Sequence, residues 1–149
     1  MSVEGRMERY RILPHTADGK FEAFGGTLEE AFGNAALALA SLMWDWSKIA
    51  PRIEHPVRVD GNDKEQLLVK FLGEVIYLFE TRQFLLGQVR RLEINSRSDG
   101  FGLEAVLAGE RLASGHEIYG DVKAVTYHEL AVEEGGPGER SRVQVVVDM

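Results

Sequence analysis

Helical periodicity appears twice in the first half of this chain and then stops, which constrains its fold more than any other feature. Thr27-Leu28-Glu29-Glu30 is a capping box, in which the Thr hydroxyl accepts from the Glu30 amide and Glu30 reaches back. Leu28, Ala31, Phe32, Ala35, Ala36, Leu39, Leu42 and Met43 then recur at helical spacing, predicting a helix from Thr27 to about Met43. Its many alanines suit close packing on a sheet. Asp63, with Gln66 at the third position, starts a second helix over Lys64 to Thr81. Its apolar stripe is Leu67, Leu68, Phe71, Leu72, Val75, Ile76 and Phe79.

Beyond Thr81 the pattern changes to strands. Phe84–Ile94, Gly102–Ala108, Asp121–Val132 and Arg142–Asp148 read as strands, joining earlier ones over Arg9–Leu13, Lys20–Phe24 and Arg52–Asp60. Ser98-Asp99-Gly100 marks a hairpin turn, and Pro56 marks a bulge or an edge position. Helices early and strands late predict an α+β protein, not a βαβ series. The expected architecture is a mixed β-sheet with two main amphipathic helices packed on it and a strand-rich C-terminal half.

A chain of 149 residues fits one domain, 1–149. The absence of cysteine excludes disulfides, thiolate metal sites and cysteine nucleophiles. A net charge of −7 argues against broad binding to phosphate backbones and suits cation binding or a basic partner. No apolar run approaches the ~20 residues of a membrane helix. Met1 to Tyr10 is charged and lacks an apolar signal core. The expectation is a soluble cytoplasmic protein without a membrane partner; oligomeric state is left open.

Chemistry concentrates in three segments. Asp18 falls just before Gly19, where one strand gives way to the next. It is either a ligand for a hard cation, which favours carboxylate and backbone oxygens, or the residue that closes a turn. Asp148 stands at the end of a valine-rich strand, beside the α-carboxylate of Met149. In that strand Val143, Val145 and Val147 share one face, while Gln144, Val146 and Asp148 share the other. Asp148 is either a ligand or part of a frayed terminus. Brought together, Asp18, Asp148 and the Met149 carboxylate would make a hard-oxygen metal site.

The third segment is Asp121–His128. Alternation would point Lys123, Val125 and Tyr127 one way and Val122, Ala124, Thr126 and His128 the other. Lys123 could pair with a carboxylate, offset charge near a metal, contact phosphate, or protect a strand edge. His128 is a general base, a ligand or a structural histidine. His15 has the same ambiguity and could instead hold the Asp18 loop, while His55 and His116 lack convincing neighbours. No phosphate-binding glycine loop, nucleophile-elbow serine or His-Glu-x-x-His occurs, so no complete nucleophile–base set is legible.

Together these segments resemble the archease family. The matches are His15-Thr16-Ala17-Asp18, Gly26-Thr27-Leu28-Glu29-Glu30-Ala31-Phe32, Asn34 to Leu39, Leu67 to Glu74, Tyr77 to Thr81, Gly109-Glu110, Val122-Lys123-Ala124-Val125-Thr126-Tyr127-His128 and Val147-Asp148-Met149. Their order and spacing run the length of the chain. The Lys-Ala-Val-Thr-Tyr-His run combined with His-Thr-Ala-Asp is the specific part.

The resemblance implies a protein cofactor, not an enzyme. Archeases activate the RtcB-type RNA ligase of tRNA splicing and RNA repair, speeding guanylate transfer onto the ligase and restoring multiple turnover. RNA would then be met indirectly, through the ligase. The implied metal ligands are Asp18, Asp148 and Met149, with calcium as the expected divalent cation and magnesium or manganese as alternatives. The resemblance also implies a role for Lys123, and His15 and His128 join it as candidate partner-activation residues. Gly19-Lys20 departs from the family's usual apolar residue after the Asp, and Lys20 would partly neutralise the site. Competing classes are a small metal-dependent phosphoesterase with His128 as base and a chaperone-like module for nucleic-acid-processing proteins.

Overall fold

The computed structural model describes residues 8–14 and 18–149. Elements follow in the order β1 (Tyr10–Leu13), β2 (Gly19–Gly25), α1 (Leu28–Ser41), a 3-10 turn (Trp46–Lys48), β3 (Ile53–Gly61), α2 (Lys64–Arg82), β4 (Phe84–Arg97), β5 (Gly100–Arg111), β6 (Ala124–Val125), β7 (Ala131–Glu133) and β8 (Ser141–Asp148). The α+β class and the two helices stand as expected. The sheet differs in detail: among the described residues every strand pair is antiparallel, and the strands form two sheets instead of one mixed sheet. One sheet runs β1-β2-β8-β6 with β7 also on β8, and the other runs β3-β5-β4.

Both helices start as the sequence directs. The Glu30 amide donates to Thr27 Oγ1 at 3.1 Å, and Glu30 reaches back to accept from the Gly26 amide at 2.9 Å. Helix α2 repeats the arrangement: the Gln66 amide donates to Asp63 Oδ1 at 2.7 Å, and the Asn62 amide to Gln66 Oε1 at 2.7 Å. Each pairing satisfies helix-end donors that would otherwise lack a partner.

Helix α1 is buried almost all round, from Ala31 through Ala40, because it touches β2 and β8 on one side and β4 on the other. A helix that is apolar on every face belongs inside a core, and here alanine keeps both sheets close. Helix α2 packs on β3, β4 and β5 and reaches β6 and β7. Trp44 follows α1 into the core. Its indole N–H donates to the Leu86 carbonyl at 2.9 Å, and its ring meets Phe79 at 5.1 Å. Pro56 lies on β3, an edge strand, where its missing N–H costs no ladder bond. Strand β4 bulges twice, between Leu86 and Gln88 and between Val89 and Arg91.

The expected Asp121–Val132 strand is two short strands, β6 and β7, both laid antiparallel on β8. The chain leaves the ladder between them for two reasons. Thr126 takes the Val146 carbonyl with both its amide (3.1 Å) and its hydroxyl (2.8 Å). Glu129 then turns left-handed, at φ 53°. Tyr127 and His128 therefore ride on a loop, and the alternation expected for them does not hold.

Candidate functional site

Strand β8 is central in its sheet, and its last residues fix the geometry of the site. Gly19 is the register partner of Val147, so Asp18, one residue before, stands beside Asp148, one residue after. On the other flank Ala124 is the partner of Asp148, and the Lys123 amide donates to the Asp148 carbonyl at 2.7 Å. Asp18, Asp148, Met149 and the start of β6 thus meet at one pole of the molecule, although the first and last are separated by most of the chain. Val143, Val145 and Val147 face the core as expected, and Asp148 lies on the outer face.

Asp18 is half-buried and Asp148 exposed. Among the described residues, neither carboxylate has an ion pair or side-chain hydrogen bond. Asp18 lies just before the end of the β2–β8 ladder and Asp148 just after it, and two acids close together repel, so this end of the sheet suits a cation. The donors are oxygen only and suit a hard divalent ion. Among the described residues no group of three or more His, Cys, Asp or Glu side chains is gathered. Two carboxylates alone leave most of such an ion's coordination to other oxygens.

Lys20 does not neutralise the pair. Its ammonium lies 2.7 Å from Glu129 Oε1 instead. The Gln144 side-chain amide donates to the Glu129 carbonyl at 2.9 Å, so Glu129 ties the loop after β6 to both β2 and β8. His128 sits on that loop, exposed, with Nε2 3.3 Å from Glu129 Oε2. Lys123 is exposed. His15 lies outside the described residues.

The remaining histidines fill other places. His55 packs edge-on against Phe84 at 4.7 Å. His116 accepts from the Ala113 amide through Nδ1 at 2.9 Å and turns Nε2 toward Glu110 at 3.6 Å. The Glu110 carboxyl is held below its ordinary range, first by the Ala50 amide that donates to it at 2.7 Å.

Gly19 is required by this pole. A Cβ there would fall 2.9 Å from Val147 Cγ2 and 3.0 Å from both Leu42 Cδ1 and Met149 Sδ. The Met149 side chain therefore folds back over Gly19 and packs on the end of α1. That contact fixes the last residue against the loop bearing Asp18.

Known proteins resemble this chain over most of its length. Residues 10–149 match the model of a family described as the archease protein family (MTH1598/TM1083). The chain belongs to the archease family. It is 38% identical over 143 residues to "Protein archease" of Methanosarcina acetivorans, covering 95% of this chain and 97% of that one. It is 38% identical to "Protein archease" of Thermococcus gammatolerans, covering 96% and 100%. The solution structure of Methanobacterium thermoautotrophicum Protein 1598 superposes with a TM-score of 0.81 at 30% identity, covering 96% of this chain and all of that one. The fold is thus an archease fold. No helix among the described residues is long and apolar enough to cross a membrane.

Sequence reasoning missed Glu129 and Tyr119. Glu129 carries a positive φ without being glycine, and no local pattern marks it. Tyr119 lies in a stretch without periodicity. Its amide donates to the Met43 carbonyl at 2.9 Å and its phenol to the Ser41 carbonyl at 2.8 Å, closing the C-terminal end of α1.

Proposed function

We propose that this archease is a protein cofactor that activates an RtcB-type RNA ligase, promoting guanylylation of the ligase and its multiple turnover in tRNA splicing and RNA repair. The observation that carries the reading is the pairing of Asp18 with Asp148, two uncompensated carboxylates held side by side by the β2–β8 register. Asp18, Asp148 and the Met149 carboxylate would hold a divalent cation, calcium first, with magnesium or manganese as alternatives. When bound, such an ion would supply positive charge that can be shared with a phosphate or a partner carboxylate.

The residues around it have separate tasks. The β2–β8 ladder holds Asp18 and Asp148 at fixed spacing, so little ordering remains to be done on docking. Lys123, fixed through its amide to Asp148, offers an ammonium at the same pole for a phosphate or a partner carboxylate. His128, on the loop after β6, is a further partner-activation residue, and His15 is assigned the same role from the sequence. The protein would act by orienting groups in the ligase cleft, with RNA bound by the ligase. Such a role is non-enzymatic and cytoplasmic.

The test is guanylylation of the RtcB-type ligase from the same organism, under multiple turnover, with the wild-type protein and with Asp18→Ala. Stimulation by the wild type and none by the variant is expected. Full stimulation by the variant rejects the role of the acidic pair. No stimulation by the wild type rejects the ligase reading.

A further inference from the structure

Seven large apolar or aromatic side chains are exposed among the described residues, and four of them, Ile118, Tyr119, Tyr127 and Met149, belong to the segments that meet at the Asp18–Asp148 pole. Met149 and Tyr119 are placed by their contacts, and Ile118 is the residue next to Tyr119. Met149 packs over Gly19 beside Leu42, at the end of α1. The backbone of Leu42 and Met43 lies against Gly120, where a Cβ would collide with the Leu42 carbonyl. Tyr119, one residue earlier, is bonded at both ends to the last turn of α1 yet leaves 55% of its surface in solvent. Leu42, Ile118, Tyr119 and Met149 thus form a collar of exposed or half-exposed apolar surface next to the acidic pair.

This collar is rigid. Tyr119 has its phenol fixed on the last residue of α1 and its amide on Met43 just beyond it, and Met149 follows directly on the end of β8. A preorganised aromatic ring that already makes its hydrogen bonds loses little entropy on docking. Capping α1 requires only the phenol and the amide of Tyr119 and leaves the exposure of Ile118 and Met149 unexplained. Apolar groups beside a charged centre match a protein interface, whose anchors are aromatic and whose charges set the partner.

The surrounding charge selects the partner. Asp45 and Glu117 act on the Tyr119 phenol, whose pKa is raised chiefly by burial. Asp121 precedes the Lys123 strand. The segments that meet here carry Asp18, Asp45, Glu117, Asp121 and Asp148 against Lys48 and Lys123, with Lys20 already paired to Glu129. Phosphate backbones are repelled by such a surface, and a basic protein is attracted.

We infer that Leu42, Ile118, Tyr119 and Met149 form the docking collar of this archease, packing into an apolar recess ringed by basic groups on the ligase while Asp18 and Asp148 face the ligase's nucleotide site. The inference rests on the ligase reading for the partner's identity, and it assigns affinity to the collar and activation to the carboxylates.

The experiment measures both quantities. Binding of the full chain to the purified ligase is followed by calorimetry, and stimulation of guanylylation is titrated, for the wild type, Ile118→Ser, Tyr119→Ala and Tyr119→Phe. Tyr119→Ala should weaken binding and raise the half-saturating concentration by about tenfold or more, as truncation of an aromatic anchor does, with maximal stimulation unchanged. Tyr119→Phe keeps the ring and should bind like wild type even where loss of the phenol bond to α1 lowers its Tm. Ile118→Ser disturbs no hydrogen bond and should weaken binding in a protein of wild-type Tm, so a misfolded Tyr119→Ala leaves the test intact. Unchanged affinity in Ile118→Ser and in a folded Tyr119→Ala overturns the collar while the ligase reading stands. Wild-type binding without stimulation, lost in Ile118→Ser, overturns the activator reading while the collar stands. Tight binding of a single-stranded RNA oligonucleotide at this pole, lost in the same variants, overturns the choice of a protein partner.

Discussion

The two sheets treat their surface charges differently. On the β3-β5-β4 sheet each of several acids meets an arginine: Arg58 with Glu104 at 3.0 Å, Arg90 with Glu54 at 2.9 Å and Arg97 with Asp60 at 2.9 Å. Along the middle of the other sheet compensation continues, with Arg142 between Glu22 and Glu133 and Lys20 on Glu129. It stops at the end of β8. Asp18 and Asp148 stand together there and no described basic side chain answers them. A protein of net charge −7 must leave some acids unpaired, but it need not gather two of them at one strand end. Elsewhere on these faces the named acids each meet a base; at this pole a cation would take that place.

The strongest way to break this contrast is to remove one carboxylate. Asp148→Asn and Asp18→Asn should each abolish cation-dependent stabilisation and ligase stimulation. In the wild type, calcium at about a hundred times its Kd should add about 2.7 kcal/mol of stability if it binds only the folded state, read as a rise in Tm; neither variant should respond. Without metal the sign reverses. Each variant should be more stable than wild type by about 0.2–1 kcal/mol, since a like-charge cross-strand pair has been removed. Variants that lose stability in chelator would show that the pair is already compensated and that the two sheets do not differ.

A second test moves the geometry and keeps the charges. Gly19→Ala places a methyl group against Val147, Leu42 and Met149. Val147 belongs to the packed core and moves least, so Met149 is the neighbour that gives way. Overpacking of this kind costs about 1–3 kcal/mol. Calcium response and stimulation should fall by more than that loss of stability accounts for, because Met149 is displaced from the loop bearing Asp18. If Gly19→Ala binds calcium as well as wild type, the packing of Met149 over Gly19 has no part in the site.

Much of this architecture was legible in the residues, and the exceptions have physical causes. The helix starts at Thr27 and Asp63 are local chemistry, and the structure repeats them bond for bond. Val143, Val145 and Val147 of β8 share the core face at period two, as the sequence suggests; Val146, on the face of Asp148, is buried as well, and Asp148 itself is exposed. The pairing of Asp18 with Asp148 was not legible in this way. A register between distant segments is set by the whole sheet, and family resemblance, not periodicity, linked the two residues. The division into two sheets was hidden for a related reason: α1, buried almost all round, touches both, and one-dimensional patterning does not say what lies on each side of a helix. The break in the Asp121–Val132 strand depends on Thr126 capturing a carbonyl of β8 and on Glu129 adopting a left-handed backbone. Val-Thr-Tyr-His is otherwise good strand sequence.

A smaller effect separates the sheets by pH. His55, at the edge of the β3-β5-β4 sheet, has its pKa lowered from the ordinary 6.5, first by burial and then by Arg82. The folded state therefore takes up this proton less readily than the unfolded chain. As pH falls through 6.5 the unfolded chain binds it first, and stability declines. His55→Gln should flatten the stability profile between pH 7 and 5. Glu110 acts lower, because its carboxyl is held below its ordinary 4.5; the stability it lends is present above 4.5 and is lost as pH falls through its folded value. Urea midpoints across the two windows separate these groups. A profile between pH 7 and 5 unchanged by His55→Gln would mean that burial of the imidazole does not oppose its charge.

The smallest expected effect concerns the compensated surface itself. Arg58 is 71% exposed at its side chain and Glu104 39%, so their pair is screened by water and restrains two long side chains. Exposed pairs of this kind contribute about 0–1 kcal/mol, and Arg58→Ala should shift the urea midpoint within that range. Its partner also matters, because Glu93 is the register neighbour of Glu104 across β4 and β5. Removing Arg58 leaves those two acids facing each other, a small-scale copy of the Asp18–Asp148 pair. The copy lacks the neighbouring strand end and the Met149 contact. Arg58→Ala should therefore gain no calcium-dependent rise in Tm, although it has gained an uncompensated acidic pair. A calcium response at Glu93 and Glu104 equal to that at Asp18 and Asp148 would mean that proximity of carboxylates is sufficient, and that the end of β8 contributes nothing beyond charge.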